Sequence, residues 1–87
     1  MLFVFEEEGE RFFWMKNTYI PLDIIFVKAD GTIHRIGANA KPLDTTLVPS
    51  NGPVMHVLEL NGGMTEKLGI KEGDVIHHDV FGNKLAE

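Results

Sequence analysis

The stretch that most constrains this chain is DIIFVKADGTIHRI, Asp23 to Ile36. Two runs rich in β-branched and aromatic residues flank Asp30-Gly31, a pair that tolerates the positive φ values of tight hairpin turns. It predicts a hairpin of Asp23 to Lys28 with Thr32 to Ile36. Within the first run, alternation puts Asp23, Ile25 and Val27 on one face and Ile24, Phe26 and Lys28 on the other, so both faces are apolar. Such a strand belongs in the middle of a sheet with both faces covered. Val54 to Leu60 reads the same way, with Val54, Leu58 and Leu60 beside His56, and Met55 and Val57 beside Glu59, a carboxylate among hydrophobes.

Leu2 to Phe5, Arg11 to Lys16 and Asp74 to Phe81 are further strand-like runs. Glu6 to Glu10 reads as a charged hairpin tip that discourages edge-to-edge aggregation. Met64 to Leu68, between Gly62-Gly63 and Gly69, has room for one or two helical turns ending at a glycine cap. Ala38 to Pro53, with Pro42, Pro49 and Pro53, reads as the single long loop. The pattern predicts an all-β (mainly β) domain over 1–87, a compact β-sandwich or partly closed barrel with one short helix, because an open sheet would leave an apolar face wet. A chain of 87 residues holds one such domain.

The 13 acidic against 8 basic side chains give a net charge of −5, which opposes phosphate backbones and anionic lipid. The chain has no cysteine, hence no disulfide, thiol nucleophile or thiolate metal site. Its apolar runs are too short to span a bilayer, so membrane insertion is not expected and the chain as given reads as soluble.

FWMKNTYIPLDIIFV, then DGTIHRI, a Pro-containing loop, GPVMHVLELNGG and KLGIKEGDVI together resemble the domain-of-unknown-function 192 family of uncharacterised prokaryotic proteins, nearly end to end. The resemblance implies a compact β-sandwich or barrel-like domain with one small helix and no known activity. It also implies a preceding segment, with an extra strand and a Gly-Leu-Met motif, ahead of Met1-Leu2-Phe3. Without it, the uncovered sheet edge favours a homodimer. An export leader in many members would make the chain extracytoplasmic, whereas as given it reads as cytoplasmic.

Lys16, Asn17, Thr18, Asp23, Ser50 and Glu59 interrupt apolar surroundings or sit in the long loop, and the resemblance falls on the same positions. They are the candidates for one polar cleft, in which Lys16 supplies a cation and Asn17 a bidentate amide. The bland alternative makes Asn17 and Thr18 partners of loop backbone, Asp23 a turn cap and Glu59 a satisfied buried acid. Asp23 with Glu59 could form a hydrolytic carboxylate pair. His77 and Asp79, two apart on one strand face, are too few for a metal site, and nothing calls for a cofactor. Ser50 lacks the surroundings of a hydrolase nucleophile. Phe12, Phe13 and Trp14 could stack on a ligand, although alternation sends at least half of them to the core. The leading expectation is a non-catalytic binding module for a small polar ligand or a peptide. The rivals are a hydrolase using the carboxylate pair and an interaction domain with no cleft.

Overall fold

A computed structural model describes residues 2–15, 18–43 and 47–76. Strands β1 (Leu2–Phe13), β2 (Leu22–Val27), β3 (Ile33–Ala40) and β4 (Val48–Asn61) precede a single helix, α1 (Met64–Leu68). They form one antiparallel four-stranded sheet in the order β1-β4-β2-β3, with no ladder closing β1 onto β3 among the described residues. The all-β expectation with one short helix is met. β2 lies between β4 and β3, and Asp23 to Val27 are fully buried, as a strand apolar on both faces requires.

The β2–β3 hairpin turns as its sequence predicts. Gly31 takes φ 93° and donates its N–H to the Lys28 carbonyl at 3.0 Å, while Asp30 Oδ1 accepts the Thr32 N–H at 2.9 Å. An aspartate that bonds its own backbone two residues on supplies half the turn, and a glycine free to take positive φ supplies the rest.

β1 differs from expectation. Glu6 to Glu10 is not a hairpin tip but lies inside a continuous strand that pairs with β4 on both sides of it. The register explains how: Val4 pairs with His56 and Gly9 with Val54, so Phe5 to Glu8 bulge opposite Met55 alone. Farther on, Glu10 pairs with Pro53 and Phe12 with Pro49, so Ser50 to Gly52 bulge opposite Arg11. The expected long loop is correspondingly shorter, since β3 runs on to Ala40 and β4 starts at Val48. Pro49 and Pro53 are tolerated in β4 because this half of the strand pairs with β1 alone, leaving a side where no N–H is needed.

The two bulges fold the ribbon over. Phe3 and Phe13 would lie roughly 33 Å apart on a straight strand, yet their ring centroids are 5.6 Å apart, and Phe13 also meets Phe26 of β2 at 6.2 Å. The curled ribbon and Met15 thereby roof one face of the sheet, where Met15, Ile24, Phe26, Val54 and Val57 are buried together. Val54 joins this cluster rather than the His56 face that alternation assigns it, and the β1 bulge opposite Met55 falls between the two. The start of β4 reaches as far as β3: a Cβ on Gly37 would stand 2.9 Å from Val48 Cγ1, and Arg35 Nη1 donates to the Pro49 carbonyl at 3.2 Å. On the opposite face Ile25, Val27 and Ile33 are buried beneath Ile70 and Ile76.

Asp74 to Ile76 follow β3, with Ile33 N–H donating to the Asp74 carbonyl and Ile76 N–H to that of Gly31, each at 2.8 Å. The strand expected over Asp74 to Phe81 is thus represented by a bridge of Thr32 with Val75, and His77, His78 and Asp79 lie outside the described residues. Of the expected aromatic trio, Phe13 enters the core while Phe12 and Trp14 are about half exposed, at 55% and 50%.

Gly52 is fixed by this bend. Its φ is 147°, and a Cβ there would stand 2.7 Å from Nε2 of His34, whose ring nitrogen is 3.1 Å from the Asn51 carbonyl. Gly52→Ala combines a disallowed backbone with a clash and is expected to cost about 2–4 kcal/mol in urea unfolding, against under about 0.5 kcal/mol for Gly73→Asn at an open turn.

Candidate functional site

Asp23 is engaged by four hydrogen bonds. It is fully buried on the β2 face shared with Ile25 and Val27. Its Oδ1 accepts the N–H groups of Asn39 at 2.8 Å and Gly63 at 3.1 Å, and its Oδ2 accepts the N–H of Thr65 at 2.9 Å and the Thr65 hydroxyl at 2.7 Å. A helix of five residues is too short to hold itself, and α1 begins at Gly63 with no side-chain cap of its own. Asp23 provides that cap from a different strand, placing a carboxylate at the N-terminal turn where unpaired N–H groups and the helix dipole favour it. Burial alone would push its carboxyl up; the bonds from Asn39, from the Thr65 hydroxyl and N–H and from Gly63 outweigh this and hold it below the ordinary carboxylate range.

Ser50 is also buried, and its hydroxyl fastens the second bulge. Oγ accepts the Arg11 N–H at 2.9 Å and donates to the Gly52 carbonyl at 2.7 Å. The Arg11 guanidinium lies 4.0 Å over the Phe5 ring and donates to the Glu7 carbonyl, bridging the first bulge.

Glu59 pairs with Ile24 across β2–β4, so it stands on the aromatic face, whereas Asp23 pairs with Leu60 and stands on the other. A carboxylate pair acting on one bond must share a cleft. The sheet lies between these two, and this removes the geometric basis for the hydrolase reading. Glu59 is half-buried, and loss of water pushes its carboxyl above the ordinary range. Thr18 is half-buried in the loop after β1, where its N–H donates to the Met15 carbonyl and its own carbonyl accepts the Leu43 N–H at 2.9 Å. Lys16 and Asn17 lie outside the described residues. Asp23, Ser50 and Glu59 therefore occupy three different settings: a helix cap, a strand bend and the aromatic face.

Two surface features went unread in the sequence. The first joins the stretch around Thr18 to the stretch after β3. Trp14, Tyr19, Ile20, Leu43 and Leu47 are five of the ten exposed large apolar side chains among the described residues, with Tyr19 80% exposed. Exposure of isolated apolar residues is ordinary, but concentration on two loops tied by a hydrogen bond is not. The second is an open cleft of about 540 Å³ on the Asp23 face, formed by Ile25, Leu58 and Ile33 of the sheet and by Ile70, Val75 and Ile76, with Asp74 as its charged lining residue. Its signal was the apolar face of DIIFV together with Ile70 and Ile76, which the sequence offered without their relative placement. Among the described residues no group of three or more His, Asp or Glu side chains could hold a metal, and no helix is long and apolar enough to cross a membrane.

The two carboxylates shift stability with pH in opposite senses. Asp23, depressed in the fold, contributes stability that is complete above the unfolded carboxylate value near 3.9 and is lost as pH falls through its lower folded value. Glu59, raised in the fold, contributes below the unfolded value and loses that contribution as pH rises through its folded one. Urea titrations from pH 2.5 to 7 should show Asp23→Ala costing about 3–5 kcal/mol at neutral pH, because buried donors lose their acceptor, with a flattened acid limb. Glu59→Gln should instead remove the decline above pH 4.5.

The sequence profile of DUF192, described as "Uncharacterized ACR", matches residues 1–78. A crystal structure from Sinorhizobium meliloti 1021, provisionally labelled a transcription regulator, is 48% identical and superposes with a TM-score of 0.84 over 86% of this chain and 58% of its own. A protein of unknown function from Novosphingobium aromaticivorans DSM 12444 is 51% identical, with a TM-score of 0.83 over 86% of this chain and 54% of its own. The chain thus spans little more than half the length of either. No functionally curated protein matches it. With the profile covering nearly the whole sequence and the sheet shared with both solved structures, the chain belongs to the DUF192 family.

Proposed function

We propose that this domain is a non-catalytic binding module that takes a peptide or small polar ligand on the two loops flanking Thr18 and Leu43. The observation that carries this reading is the exposed set Trp14, Tyr19, Ile20, Leu43 and Leu47 on loops fastened by the Leu43 N–H to the Thr18 carbonyl. Flat aromatic faces with aliphatic neighbours supply contact area at low entropic cost, while the Lys16-Asn17-Thr18 run supplies a cation, an amide and a hydroxyl in the same stretch of chain. Asp23 and Ser50, included with these groups on sequence grounds, serve the fold instead.

Catalysis is not favoured, because Asp23 and Glu59 face opposite sides of the sheet. The regulator label of the S. meliloti neighbour does not carry DNA binding to this chain, whose net charge of −5 disfavours a phosphate backbone.

A displayed random-peptide library selected against the chain should enrich binders that shift the amide resonances of Trp14, Thr18, Tyr19 and Leu43. Tyr19→Ser should weaken them at least about ten-fold with the melting temperature unchanged, as loss of an exposed aromatic anchor does. Asn17→Ala should abolish binding of a polar ligand while costing about 1 kcal/mol of stability. Binders that map elsewhere and tolerate both substitutions would remove the loops from consideration.

A further inference from the structure

The sheet's two faces are covered unequally. The curled β1–β4 ribbon and Met15 roof the aromatic face, whereas on the other α1 covers the Asp23 end and residues 70–76 follow β3, so that among the described residues the 540 Å³ cleft is open. The apolar strip does not stop at the cleft. Leu58 pairs with Leu2, and His56 with Val4, so this face continues onto β1 through side chains that are 37% and 53% exposed. A compact ligand would call for several convergent polar groups, but the cleft has one charged lining residue, and its apolar face runs over β3, β2 and β4 and on to β1. That shape suits a length of polypeptide.

The rim gives the partner's charge. Asp74 lines the cleft, and Asp30 and Glu72 stand exposed on the adjoining turns, in a chain of net charge −5. Each of the three accepts a backbone N–H: Asp30 that of Thr32, Glu72 that of Ile36 on β3 and Asp74 that of Lys71. Lys28 and Lys71 only partly offset them. We propose that this cleft docks a basic amphipathic segment of a partner polypeptide, its apolar side chains against Leu58, Ile70 and Val75 and its Lys or Arg flanks toward Asp74 and Glu72. A second copy of this chain would bring the same acidic rim against itself, and an anionic lipid surface would be repelled.

The test uses three synthetic probes, Ac-KKLIKLLKK-amide, its acidic counterpart Ac-EELIELLEE-amide and the apolar-depleted Ac-KKSSKSSKK-amide, titrated into the full chain by methyl NMR. The first should saturably shift the methyls of Leu58, Ile70 and Val75, weakening as salt rises from 50 to 300 mM, while the other two should bind at least about ten-fold more weakly. Asp74→Asn and Glu72→Gln each keep an oxygen to accept that backbone N–H, so the fold is retained, and each should weaken the first probe by about two- to five-fold. Equal affinity for the acidic peptide would overturn the charge assignment and the proposal with it. So would silent cleft methyls at millimolar probe, or shifts confined to the Tyr19 and Leu43 loops. Probe-free shifts of the cleft methyls with protein concentration, accompanied by a sedimenting dimer, would make the occupant a second copy and equally refute it.

Discussion

One buried carboxylate organises the end of the sheet from which α1 departs. Placing Asp23 out of water costs several kcal/mol, and the fold offsets this by aiming four donors at its two oxygens. Those donors come from β3, from the glycine turn after β4 and from α1, so a single side chain fixes where three pieces of chain meet. The helix shows the dependence most clearly, since five residues with a glycine at the N-cap have no local reason to be helical. The segment is helical because a strand distant in sequence satisfies its first N–H groups.

The other organising device is geometric. Unequal residue counts on β1 and β4, first in favour of one strand and then of the other, convert a long antiparallel pair into a curled ribbon that covers the Phe26 face of its own sheet. Polar groups fasten both bulges: Ser50 and the Arg11 N–H at one, the Arg11 guanidinium over Phe5 and toward Glu7 at the other. A polar residue amid apolar ones can therefore look like part of a ligand site while fastening a bend.

That ambiguity decides what was legible in the sequence. The hairpin at Asp30-Gly31, the central position of β2 and the glycine-bounded helix were readable because each depends on local chemistry or two-residue alternation. The acidic stretch was misread as a turn because nothing local in Glu6 to Glu10 shows that four residues would bulge opposite Met55; only the partner strand determines that. Parity did place Asp23 with Ile25 and Glu59 with Val57, yet it could not relate the two strands until register set Ile24 against Glu59. The exposed loops and the apolar cleft escaped notice for a similar reason, as each joins residues far apart in the chain.

The register of β1 with β4 has a kinetic side. Phe13 pairs with Val48 and Leu2 with Leu58, so β2 and β3 are both made before the first strand finds its partner. Closing so large a loop is entropically costly before any contact rewards it, and such non-local pairing slows folding toward the millisecond-to-second range. The β2–β3 hairpin, closed by its own turn, can form first and present β2's two apolar faces to solvent while it waits for β4 and the ribbon. The slow element is also the one that roofs Phe26, so the interval before it docks is the period in which a newly made chain is most exposed to aggregation.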